Sequence, residues 1–160
     1  MTENYDVAIV GGGPAGCAGG VFCSRAGLDT VVVSNGRSTL RKCAFVENYL
    51  GFPAGIEPRS LLDLLERHAR EAGCTMVEAS VCSAAVAEDD FVLTLDQESI
   101  TSDRLLAASW SGSDYLEAVG VETEPESGRG SVSVVPTDDW GEVRRWPDHQ
   151  HPSSGDCQRR

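Results

Sequence analysis

The sequence predicts an α/β domain built on a parallel sheet, with helices on the sheet and a small antiparallel meander beside it. Three observations lead there. Residues 6–16, DVAIVGGGPAG, run an apolar strand into a glycine turn. Residues 30–34, TVVVS, are β-branched and almost wholly apolar, as a strand buried on both faces of a parallel sheet is. Between and after them lie stretches with helical punctuation, so strand and helix alternate.

The first strand spans Tyr5–Val10. The stretch PAGCAGGVFCSRAGL then reads as a helix opened at Pro14 and stopped by Gly27, and TVVVS completes a βαβ unit by Ser34. Residues 35–58 form a long connection without a sustained period, and connections of that length in a compact domain are commonly functional. Its apolar and aromatic residues, Phe45, Val46, Tyr49, Leu50 and Phe52, predict an ordered loop. From Arg59 to Ala72, Leu61, Leu62, Leu64, Leu65, Ala69 and Ala72 make an apolar stripe, with Pro58 in the first turn and Gly73 at the stop. Asp63–Arg67 and Glu66–Arg70 are expected as i,i+4 pairs on the wet side. The segments CTMV, SVCSAAV, FVLTL and DRLLAA predict a third parallel strand, a meander and a return to the sheet, with a solvated turn at Glu88–Asp90. One helical turn around Tyr115–Val119 and one strand at Ser131–Val135 are expected beyond Ser109.

Composition narrows the function. The chain has 160 residues, 25 acidic against 13 basic, and a formal net charge of −12. Lys42 is the one lysine. Nucleic-acid binding is disfavoured because a phosphate backbone needs a basic patch. Acidic, lysine-poor composition fits a salt-adapted protein whose self-repulsion is screened at molar salt, where the Debye length is about 3 Å. Thermal unfolding is therefore expected to shift to higher temperature as potassium chloride rises, and a melting temperature indifferent to salt overturns that reading. The absence of a long apolar run and of a signal-like N-terminus leads to the expectation of a cytoplasmic protein away from membranes. The six cysteines form no C-x-x-C pair, and packed, reduced thiols are expected.

Gly11, Gly13 and Gly16 make G-x-G-x-x-G between a strand and a helix. In such a turn the first glycine permits the bend, the second lets backbone approach a diphosphate, and the third lets helix and strand pack closely. Amides at the helix start and the helix dipole then meet the negative charge. The acid expected at the end of the second strand for a ribose hydroxyl is missing, and Ser34, Asn35, Gly36 and Arg37 stand there instead. Arg37 by itself points to a 2′-phosphate, as in NADP, or to a solvated loop arginine.

The combination of VGGGPAG, FVENYLGFPAGI and LLDLLERHAREAG resembles the FAD-binding domain of the thioredoxin reductase family over about residues 5–108. That resemblance implies a Rossmann-like FAD-binding domain with a parallel sheet and a small β-meander. It implies cofactor contacts at Gly11, Gly13, Pro14, Ala15 and Gly16, at Asn35, Gly36 and Arg37, and at Asn48. It also implies backbone contact near Val81, with Ser109 in place of a threonine in the family's A-T-G-like turn. Trp110 stands where that turn has glycine. Family members are commonly dimers, so a homodimer is implied.

A nucleotide domain with a second glycine motif, a redox C-x-x-C and a flavin-covering segment belong to the family pattern; none is found in this sequence. The expectation is an FAD-binding oxidoreductase-like protein resembling a truncated thioredoxin reductase, with NADP(H) as an external electron donor if it turns over. The alternatives are a non-catalytic FAD or NADP(H) module, or an inactive fragment. Cys43, beside Arg41 and Lys42, is a candidate redox thiol or an ordinary loop cysteine. His68 is read as a surface histidine. Residues 1–140 are expected as the domain. Residues 141–160, with 3 acids and 4 bases against 22 and 9 before them, are expected as a disordered or aberrant tail.

Overall fold

Two adjacent parallel strands buried along most of their length organise the molecule. In the computed structural model, which describes residues 3–87, 90–109, 114–119 and 133–136, strand β1 is Glu3–Val10, helix α1 is Pro14–Arg25 and strand β2 is Thr30–Ser34. A 3-10 turn, Thr39–Lys42, and a bridge between Val46 and Ile56 order the long connection. Helix α2 is Pro58–Ala72, followed by β3 (Thr75–Glu78), β4 (Val81–Ala87), β5 (Asp90–Leu95) and β6 (Ser99–Ala107). Helix α3 (Asp114–Glu117) and strand β7 (Ser133–Pro136) complete the described elements.

The sheet has seven strands in the order β3-β2-β1-β6-β5-β4, with β7 pairing the C-terminal part of β6 beyond its pairing with β5. Strands β3, β2, β1 and β6 are parallel, with Val10 facing Val33 on one side and Ala107 on the other. Strands β4 and β5 form the expected antiparallel meander, and β6 returns from it to lie beside β1. The segment DRLLAA marks only the second half of that return: β6 begins at Ser99, whose pairing to Thr94 belongs to the meander. The strand period of two separates two cores. Ala8, Val10, Val31 and Val33 face the meander with Phe91, Leu93 and Leu95. Val7, Ile9 and Val32 face the helices with Cys17, Ala69 and Cys74. Each fully buried valine of β2 contributes about 1.5–3 kcal/mol relative to exposure, so TVVVS clamps both layers.

Both helices end as their sequences indicate. Gly27 follows α1 with φ +87°, and Gly73 caps α2 with φ +110°, a left-handed conformation that glycine adopts without steric cost. Glu57 caps the start of α2 and accepts from the Ser60 amide at 2.6 Å. Backbone hydrogen bonds from Ser60 and Arg59 hold this carboxyl below the usual glutamate range. The cap's contribution is present above the unfolded glutamate value and is lost as pH falls through the depressed one. On the wet side of α2, Arg70 pairs with Glu66 at 2.8 Å as expected. Arg67 turns to Glu71 at 3.9 Å rather than back to Asp63.

Residues 141–160 lie outside the described residues, as do Glu88 and Trp110. No helix among the described residues is long and apolar enough to cross a membrane.

Candidate functional site

The parallel strands carry their C-terminal ends to one edge of the sheet, where β1 meets the glycine turn. The chain leaves β1 through α1 toward β2, while β6 flanks β1 on the other side. Such a reversal of strand order opens a crevice outside the carboxyl ends of the strands, the common ligand position in open α/β sheets. Here its two lips are Gly11–Gly16 and Ala108–Ser109. Gly11 donates to the Val33 carbonyl at 2.8 Å, and Ala108 donates to the Val10 carbonyl at 2.8 Å, so the lips are tied to β2 and β1.

Packing explains the glycines. Gly11 has φ +117°, and a Cβ there would lie 2.5 Å from the Ala108 carbonyl oxygen. At Gly16 a Cβ would lie 1.7 Å from the Gly11 carbonyl oxygen, a backbone collision that only glycine avoids. Gly13 differs: its φ is −80°, and the nearest atom to a Cβ there would be Ser38 Oγ at 3.9 Å. A Cβ at Gly13 would therefore make only ordinary van der Waals contact. Gly12, which the motif spacing does not single out, abuts the second strand, where a Cβ would meet Ser34 Cβ at 2.6 Å.

The electrostatics favour an anion. No side chain caps the start of α1, and no acidic residue sits in its first turn. Among the described residues nothing accepts from the amides of Gly12, Gly13, Ala15 or Gly16. A helix end with unsatisfied amides and an uncompensated dipole is a binding site for negatively charged groups. The Cys17 thiol donates to the Gly12 carbonyl at 3.5 Å. Because the peptide is planar and trans, a Gly12 carbonyl turned toward Cys17 sends the Gly13 N–H the opposite way.

Of the expected site residues, Gly11, Gly13, Pro14, Ala15, Gly16 and Ser109 gather at the crevice. Asn35, Gly36 and Arg37 form a tight turn just past β2. Asn35 Oδ1 accepts from the Arg37 amide at 3.0 Å, Ser34 Oγ accepts from the Gly36 amide at 3.3 Å, and Arg37 is exposed. Asn48 is exposed on the loop between Val46 and Ile56 and has no hydrogen bond to the glycine turn. Val81 opens β4, half-buried with Val77 and Ala79, and the Ala79 amide donates to the Ser34 carbonyl at 3.1 Å. Tyr49 and Phe52 line a separate apolar groove of about 530 Å³ between α1 and α2, with Phe22, Leu61 and Leu65.

Sequence reasoning missed Tyr115 as a site residue. It is buried, and its hydroxyl lies 3.0 Å from Ser109 Oγ. Only the apolar neighbours Leu116 and Val119 hinted that this stretch returns to the core.

The thiols divide by burial. Burial, with the nearby Glu66 and Cys74, pushes Cys17 up to about 11; burial also raises Cys23. Cys43 and Cys82 are exposed. Iodoacetamide at pH 8 is expected to label Cys43 and Cys82 in the native chain and to spare Cys17 and Cys74 until denaturant is added, read by peptide mass spectrometry. Native-state labelling of Cys17 at the rate of Cys43 overturns this. Among the described residues no group of three or more His, Cys, Asp or Glu side chains is placed to hold a metal ion.

Comparison with known proteins agrees with this architecture. Residues 5–142 match the family described as pyridine nucleotide-disulphide oxidoreductase. The thioredoxin reductase of Vibrio cholerae is 31% identical over 140 residues, which cover 86% of this chain and 43% of that protein. That of Aquifex aeolicus is 30% identical over 108 residues, 66% of this chain and 33% of that protein. A solved thioredoxin reductase from Gloeobacter violaceus superposes with a TM-score of 0.64 at 28% identity, over 67% of this chain and 34% of that one. The matched region thus spans less than half the length of these relatives. The Rossmann-like sheet with its meander, the glycine turn and the match over residues 5–142 place the chain in one family: it belongs to the pyridine nucleotide-disulphide oxidoreductases.

Proposed function

We propose that the chain binds FAD, with the cofactor diphosphate on the glycine turn, and serves oxidoreduction by the flavin with an external donor. The observation that carries this reading is the set of amides at Gly12, Gly13, Ala15 and Gly16 that nothing among the described residues accepts from, with no atom nearer than Ser38 Oγ to a Cβ at Gly13. The fit is specific to a slim anionic group. Backbone is bare where phosphate oxygens would approach, the adjoining helix end lacks an acid, and the collisions at Gly11 and Gly16 keep the turn tight. Gly13, Ala15 and Gly16 would hold the diphosphate, while the Asn35–Arg37 turn and the backbone near Val81 would face the adenosine. Asn48 and Ser109 would lie toward the flavin part. Bound FAD supplies hydride and electron transfer at its ring system; the protein contributes binding, orientation and electrostatics.

The thioredoxin reductases among the relatives support the choice of FAD, and NADPH is the proposed external donor. A second reading, an NADP(H)-binding module, draws on one observation: Ser34 occupies the place of the ribose acid, with exposed Arg37 three residues on.

Purification in high salt followed by visible spectroscopy tests the proposal. Flavin bands in the purified chain, or uptake of added FAD on equilibrium dialysis, are expected. A colourless protein that takes up no FAD overturns FAD binding, and uptake of NADPH by such a protein selects the second reading. Anaerobic NADPH that leaves the bound flavin oxidised removes NADPH as donor.

A further inference from the structure

The far lip of the crevice ends in a pair of hydroxyls. Ser109 lies two residues past the end of β6, and a Cβ built at Gly11 would lie 3.0 Å from the Ser109 amide nitrogen, so Ser109 stands against the glycine turn. Its Oγ is 3.0 Å from the hydroxyl of Tyr115, which comes from α3 and is only 5% exposed. Tyr115 packs in the meander-side core with Val10 and Ala107, the last residues of the two strands that form the crevice.

We propose that Tyr115 is a positioning residue of the cofactor site, its hydroxyl donating to Ser109 so that the Ser109 hydroxyl is committed to donate toward the bound cofactor. This rests on the FAD reading above. The direction follows from chemistry. A phenol is a stronger acid than an alkyl alcohol, hence the better donor and the poorer acceptor of the two. Burial keeps Tyr115 protonated by raising it above the ordinary tyrosine value, so its O–H is present to donate. Tyr115 makes no other hydrogen bond among the described residues. With the Tyr115 hydroxyl filling one acceptor position, Ser109 keeps its own proton for a partner in the crevice. A buried hydroxyl bonded to a half-exposed one is also rigid, so Ser109 is presented without a choice of rotamer.

The pair can be tested in the full chain with FAD as the titrant. Tyr115→Phe and Ser109→Ala are each expected to weaken FAD binding roughly three- to tenfold, the scale of one net hydrogen bond. The double variant should be no weaker than Ser109→Ala alone, because Tyr115 acts through Ser109. Ser109→Thr, which keeps the hydroxyl, should retain wild-type affinity. Thermal melts without FAD separate this from a packing role, since a merely structural tyrosine would lower the melting temperature and leave the affinity of the folded fraction unchanged. Wild-type affinity in Tyr115→Phe, or losses that multiply in the double variant, overturn the inference while FAD binding stands. Failure of the wild-type chain to bind FAD sinks both readings.

Discussion

Gly13→Ala is expected to fold at least as well as the wild type and to lose FAD affinity by about tenfold or more, whereas Gly16→Ala is expected to lose stability itself. The two substitutions add the same methyl group a few residues apart. At Gly13 the added carbon meets nothing nearer than Ser38 Oγ at 3.9 Å, and φ is −80°, which alanine adopts freely. Stability is then unchanged or raised by roughly 0.4–1 kcal/mol through the unfolded chain. The methyl nevertheless occupies the space over the amide that a phosphate oxygen would use, at the cost of a charge-assisted hydrogen bond worth about 1.5–3 kcal/mol. At Gly16 the methyl would sit 1.7 Å from the Gly11 carbonyl oxygen. That neighbour is backbone, so no rotamer change relieves it, and α1 must lift from β1. Overpacking of this kind costs about 1–3 kcal/mol, and here the cost falls at the upper end or above because the turn is fixed by the Gly11–Val33 hydrogen bond. Denaturant melts and FAD titrations on both variants check the contrast. Equal FAD affinity in Gly13→Ala and wild type would remove the diphosphate from this turn.

That contrast also marks how far the sequence alone carries. The spacing of Gly11, Gly13 and Gly16 identified the turn, because each glycine answers a local steric demand that recurs wherever strand, turn and helix meet. The strands were legible for the same reason: TVVVS and FVLTL encode two buried faces and one buried face respectively. The start of β6 was not, since SITS alternates buried and partly buried residues without an apolar run, and only pairing to Thr94 and to Glu3 defines it. Tyr115 and Gly12 escaped for a different reason. Their roles depend on contacts with Ser109 and Ser34, which are brought near by sheet order and not by local sequence. Asn48 and Val81, assigned through resemblance, lie on elements whose placement relative to the turn depends on loop conformation. Arg67 is a smaller instance: its i,i+4 partner in either direction is acidic, so spacing left the choice open and the structure favours Glu71.

Phe91→Ala is expected to give the largest loss of stability of any single change in the meander, about 3–5 kcal/mol. Phe91 is 1% exposed in the core between meander and sheet, beside Tyr5, Leu93 and Leu105. Its strand pairs at Phe91↔Ser102 with β6, the same strand that delivers Ala108 and Ser109 to the crevice. Truncation to alanine therefore leaves a cavity on the face that holds the far lip. Domains of this size are stable by about 5–15 kcal/mol, so the loss takes from about a fifth of the total upward. Val86→Ala, on the meander but 51% exposed, serves as the control and should stay within about 0.5 kcal/mol of wild type. Ligand linkage then connects the fold to the site. If FAD binds only the folded chain, FAD at about one hundred times its dissociation constant adds about 2.7 kcal/mol to wild type and variant alike. Urea melts of wild type, Phe91→Ala and Val86→Ala, each with and without FAD, read both effects at once. A Phe91→Ala loss within about 1 kcal/mol would mean that the meander does not close this core. Stabilisation of wild type by FAD without any of the variant would mean that Phe91 shapes the cofactor site as well as the fold, because the far lip would then lose its form before the sheet unfolds.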